Sequence, residues 1–183
     1  MSTDKLILMD LDGTLYPWIP CGEWEKPGYY FGLQVVQTMR ELARRLKDEP
    51  GVEFKFCTCY PSPHAYEEKK AALRRDFGFL RDDEIILVPY GQNKFDYVET
   101  EGRVTCLIDD YSPNLRDAEA KGVIGIKAMN GLNGTKGTWE GSRISIYDTA
   151  EKNAERILKI LAKGGLIHER EKGIARETGR DGR

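Results

Sequence analysis

"LILMDLDGTLY", residues 6–16, is an apolar run that ends in two aspartates one residue apart, followed directly by glycine and threonine. A strand buried on both faces reads as a continuous apolar run rather than an alternating one, and such strands belong to parallel sheets covered by helices on each side. Carboxylates at the carboxyl end of such a strand have no place in its core. In open α/β sheets the ligand lies outside the strand carboxyl ends, so Asp10 and Asp12 are the first candidates for a functional site.

The rest of the chain repeats the pattern. "VEFKFCTC" (52–59), "EIILVPY" (84–90), "VTCLIDD" (104–110) and the shorter "VIGIKAM" (123–129) are apolar and rich in β-branched or aromatic residues, and they predict four more strands. Helical patterns lie between them. Residues 32–48 place Val35, Val36, Met39, Leu42, Ala43 and Leu46 on one stripe; residues 64–80, 112–122 and 149–165 predict three further helices. For 112–122, Ser112 is the expected N-cap, Pro113 fits the first turn and Gly122 the stop. Strands alternating with helices predict an α/β fold, a three-layer, Rossmann-like parallel sheet.

Residues 15–31, "LYPWIPCGEWEKPGYYF", are too long for an ordinary connection after the first strand and predict a small lid over the strand ends. A glycine-rich excursion follows at 130–143. The expectation is one domain over residues 1–165 and a charged, flexible tail over 166–183. With 183 residues, 40% of them hydrophobic, the chain can bury one real core. The 28 basic residues are balanced by 30 acidic ones, a net charge of −2, so no global field draws it to nucleic acid or membrane; an anion must be held locally. No stretch approaches a transmembrane helix and the N-terminus lacks a signal-peptide pattern, so a cytoplasmic protein is expected. Cys57 and Cys59 stand one residue apart and Cys21 and Cys106 alone, which suits small buried side chains rather than a zinc site or a disulfide.

Side chains at i and i+2 of an extended segment point the same way, so Asp10 and Asp12 face one pocket, and their repulsion calls for a cation. A hard divalent ion such as Mg²⁺ takes one or two carboxylates, waters and phosphate oxygens. Gly13 allows a sharp turn just past the pair. The other strand ends supply Asp109 and Asp110 to complete a metal site, a hydroxyl from Thr58, and Lys94 beside a helix start. A metal, carboxylates, a hydroxyl and a lysine at neighbouring strand ends make up a phosphoryl-transfer set, since such catalysis is mostly positioning and charge neutralisation. Tyr29, Tyr30 and Phe31 are candidates to stack on a flat ring or to anchor the lid, and Lys127 and Lys136 to touch a phosphate or ribose. His64 reads as a surface or capping residue and Trp139 as packing for the glycine-rich loop.

In this order and chain context "DLDGT" (10–14), Thr58, Lys94 and "DD" (109–110) resemble the four motifs of the haloacid dehalogenase-like phosphatase superfamily, over residues 5 to 130 or so. "KPGYYF" (26–31), "PYGQNK" (89–94) and "LIDDYSPNL" (107–115) look most like its 5′(3′)-deoxyribonucleotidase branch. The resemblance implies that Asp10 is a nucleophile forming an aspartyl-phosphate and that Asp12 is the acid and base, its backbone carbonyl also binding Mg²⁺. It implies that Thr58 and Lys94 hold the phosphoryl oxygens, and that Asp109 and Asp110 complete the metal site, with Asp110 favoured as the direct ligand. The expected substrate is a small phosphate ester, a (deoxy)nucleoside monophosphate first. The alternatives are another phosphorylated metabolite, a nucleic-acid 3′-phosphate end, or a catalytically silent phosphate-binding module.

Overall fold

The computed structural model describes residues 4–19, 23–100, 102–131 and 139–178, with side chains as far as residue 165. Cys21, Lys136 and half of the glycine-rich excursion lie outside the described residues. The five expected strands are present as β1 (Lys5–Met9), β2 (Val52–Tyr60), β3 (Ile85–Pro89), β4 (Val104–Asp109) and β5 (Ile124–Met129). With β6 (Ser142–Ser145) they form an all-parallel sheet in the order β3-β2-β1-β4-β5-β6.

Leu6, Ile7, Leu8 and Met9 are all fully buried, which is why β1 reads as an unbroken apolar run. Ile7 and Met9 join Phe54 and Phe56 under α2 (Gln37–Lys47), α3 (Pro63–Phe77) and α5 (Ala150–Thr178). Leu6, Leu8 and Leu107 face the other way, against α4 (Ser112–Ala120), Trp139 and the irregular segment carrying Phe95 and Val98. This is a three-layer, Rossmann-like α/β arrangement. The chain lays β2 and β3 on one side of β1 and then returns to lay β4, β5 and β6 on the other. The connections therefore diverge between β1 and β4, the switch point that opens a crevice at the strand carboxyl ends. Met9 pairs with Ile108, and Asp10 N–H donates to the Ile108 carbonyl at 2.9 Å, so the aspartates after β1 and those at the end of β4 are neighbours by register.

Several boundaries differ from expectation. The helix expected from residue 32 is split into α1 (Tyr29–Gly32) and α2, with Val36 extended at the α2 N-cap; Val36 N–H donates to the Leu15 carbonyl at 2.9 Å instead of entering a helical turn. The N-cap of α4 is Tyr111, not Ser112, because Tyr111 N–H is taken by the Asp109 carboxylate at 2.8 Å. At the C-terminus, where a flexible tail was expected from 166, α5 continues as helical backbone to Thr178; this stretch has no proline and is rich in helix formers. Among the described residues no helix is long and apolar enough to cross a membrane.

Candidate active site

Asp10, Asp109 and Asp110 each offer a carboxylate oxygen, and these oxygens lie within 4.8 Å of one another. Lys94, in a short turn after β3 capped by the Asn93 side chain, places Nζ 2.6 Å from Asp10 Oδ1 and 2.6 Å from Asp109 Oδ2. All four side chains are buried. Asp109 is already well occupied: Oδ1 accepts from Tyr111 N–H and Oδ2 from Asn114 Nδ2 at 2.9 Å as well as from Lys94. Asp110 sits against Gly13, whose φ of +75° favours glycine and where an added Cβ would stand 2.2 Å from Asp110 Oδ2. Asn130 Nδ2 ties these two segments together, donating to the Gly13 carbonyl at 2.7 Å and to Asp110 Oδ2 at 3.0 Å.

Burial, with Asp109 and Asp12 nearby, pushes the Asp10 carboxyl up to about 8 even though Lys94 opposes the shift. Burial and Asp109 push Asp110 up to about 7. Three carboxylate groups converge here, and the donors are all hard oxygens. That donor set fits a divalent cation of the Mg²⁺ kind and does not resemble a nitrogen and sulfur zinc site.

Asp12 lines the same crevice with a different partner. Its Oδ2 accepts from Lys69 Nζ, while Oδ1 is enclosed and has no hydrogen-bond partner. Lys69, fully buried on α3, also donates to Thr58 Oγ1 at 3.1 Å and to the Cys59 carbonyl. Thr58 is thus held beneath the crevice, and the next residue, Cys59, lines it. Burial keeps the Cys57 and Cys106 thiols near 12, so both remain inert.

The crevice is a cleft of about 650 Å³, lined by Asp10, Asp12, Lys94, Asp109 and Asp110 at its floor and by Trp18, Trp24, Tyr90 and Tyr111 toward its mouth. Trp24 touches both Trp18 and Tyr90, with ring centroids 5.9 and 5.8 Å apart, so the insertion after β1 builds an aromatic wall with the end of β3. Tyr30, a candidate to stack on a ring or to anchor the lid, reaches the cleft, but the residue is only 2% exposed and its ring covers Lys69 at 4.8 Å. Phe31 does not line the cleft; its side chain is exposed, and its carbonyl is held by Arg75. Lys127 does not line the cleft either. It is buried behind the site, donating to the Asp110 carbonyl and Ser112 Oγ at 2.8 Å each. His64 holds the Glu25 carbonyl, and Trp139 fills the space beside Gly125 and Gly141.

Sequence reasoning missed Lys69, Asn130 and the Trp18, Trp24 and Tyr90 wall. Lys69 had a signal: with Ala65, Ala72 and Leu73 it occupies the i, i+4, i+7, i+8 stripe of α3, where a lysine faces the core. No family model matches this sequence, and no curated protein matches it.

Proposed function

We propose that the protein is a Mg²⁺-dependent phosphomonoester hydrolase that works through an aspartyl-phosphate and acts on nucleoside monophosphates. The observation that carries the reading is Lys94 bridging Asp10 and Asp109 at a strand switch point, with Asp110 alongside and Asp12 on the same crevice. The Asp10 oxygen that Lys94 does not hold attacks phosphorus as the ester P–O bond breaks. Asp12 gives its proton to the departing alkoxide. A water then attacks phosphorus, Asp12 takes its proton, and the bond to Asp10 breaks, which restores the carboxylate and frees inorganic phosphate. Asp10 and Asp110 would hold Mg²⁺, whose charge would neutralise the phosphoryl group. Asp110 is the better direct ligand because the oxygens of Asp109 already serve Tyr111, Asn114 and Lys94.

The aromatic wall supports a ring-bearing leaving group, because Trp18, Trp24 and Tyr90 present flat apolar surface above the acidic floor. Phosphate release from a panel of deoxy- and ribonucleoside monophosphates, sugar phosphates and 3′-phosphorylated oligonucleotides, with Mg²⁺ or EDTA, tests the reading. Nucleotides are expected as the best substrates. Turnover that prefers sugar phosphates or oligonucleotide ends would replace the substrate class. Folded, Mg²⁺-binding protein that releases no phosphate would leave only a binding module.

A further inference from the structure

We infer that Lys69 is a positioning residue that holds Asp12 for proton transfer, an inference that rests on the phosphatase reading. An ammonium has three donors, and those of Lys69 go to Asp12 Oδ2, Thr58 Oγ1 and the Cys59 carbonyl. The face of Tyr30 closes its remaining side. Lys69 is fully buried and does not line the cleft, so it acts on a substrate only through its neighbours.

The contacts divide the two oxygens of Asp12. Oδ2 is fixed by Lys69, and Oδ1 has no partner. The proton passes from the Asp12 carboxyl to the leaving oxygen as the P–O bond breaks and the bond to Asp10 forms. The electron pair stays on the Asp12 carboxylate, and the charge that appears there meets the Lys69 ammonium already in place. The preceding residue on α3 secures the arrangement: Glu68 accepts from Gly28 N–H at 2.6 Å and Tyr30 N–H at 3.2 Å, which keeps the Tyr30 ring over Lys69. One helix thus holds both the acid and the root of the insertion.

The test compares kcat/KM for an alkyl phosphate, whose leaving group needs a proton, with p-nitrophenyl phosphate, whose leaving group departs without one. Lys69→Met is expected to lower kcat/KM about 100-fold on the alkyl ester and less than about 5-fold on the nitrophenyl ester. In an Asp12→Asn background, the same substitution should have no further effect on the alkyl ester. Equal losses on both esters, or the same loss in both backgrounds, would overturn the assignment and leave Lys69 a structural residue. Thermal melts report folding; if Lys69→Met does not fold, Lys69→Gln is held to the same criteria, and failure of both to fold overturns the assignment. A wild-type protein that hydrolyses neither ester overturns the phosphatase reading and this inference with it, whereas an active wild type with uniform losses overturns the inference alone.

Discussion

At the amino-terminal edge of the sheet Glu53 pairs with both Lys55 and Arg103, and Asp83 pairs with Arg81; every one of these side chains is at least a fifth exposed. At the carboxyl edge Lys94 is shared by Asp10 and Asp109 with Asp110 beside them, and these side chains are almost fully enclosed. Both edges set carboxylates against cationic side chains. The difference is water and balance: at the first edge solvent screens each pair, and such pairs contribute little. At the second edge the side chains are enclosed, and Asp10 and Asp109 share one ammonium. Enclosed carboxylates pushed this far from their ordinary range mark a candidate ligand site.

The sharpest way to break this contrast is to remove one acid at each edge. Asp10→Asn is expected to lower kcat/KM for the best substrate by about three orders of magnitude or more, because the proposed nucleophile is lost. Glu53→Gln should leave it within about twofold. Steady-state phosphate release from both variants checks the pair. Next in size is the cation. Lys94→Met leaves two enclosed carboxylates without their ammonium and should destabilise the fold by about 3–5 kcal/mol, whereas Arg103→Met should cost about 1 kcal/mol or less, both measured by denaturant unfolding.

Metal supplies a third test. At a hundredfold excess over its dissociation constant Mg²⁺ should stabilise the protein by about 2.7 kcal/mol, a rise in Tm of roughly 5–10 °C for a chain of this size, and EDTA should reverse it. Asp110→Asn should abolish that rise, and so should Gly13→Ala, whose Cβ would take the place of the Asp110 carboxylate. The smallest effect lies between the two extremes, at half-buried Asp76. Burial opposes its ionisation, yet hydrogen bonds from Arg75 and Tyr16 hold its carboxyl below the ordinary value. Its contribution, about 1 kcal/mol or less, is present above the unfolded value of 3.8 and is lost as pH falls through the lower folded one. Asp76→Asn should therefore flatten that part of the acid limb in unfolding measured against pH.

Much of this was legible in the sequence, for specific reasons. A strand enclosed on both faces leaves one reading of residues 6–9, and carboxylates at strand ends have no core role, so Asp10, Asp12, Asp109 and Asp110 stood out together with Lys94. β6 did not: "SRIS" holds a single apolar residue and belongs to the sheet only through its edge pairing with β5. Lys69 was hidden in "EEKKAALRR", where only its position on the apolar stripe of α3 marks it as buried. Tyr30 and Phe31 are adjacent in sequence, but α1 turns them to opposite fates, one enclosed and one exposed. The aromatic wall joins Trp18 and Trp24 to Tyr90, a pairing set by the tertiary fold that no local pattern displays.

The most direct test of the central claim is rapid acid quench of the protein mixed with Mg²⁺ and a radiolabelled phosphate ester, followed by a count of label left on the chain. The account predicts a covalent phosphoryl group on wild-type protein that hydroxylamine removes, that EDTA prevents and that Asp10→Asn does not form. Steady phosphate release with no label on the wild-type protein, or label that persists in Asp10→Asn, would contradict it.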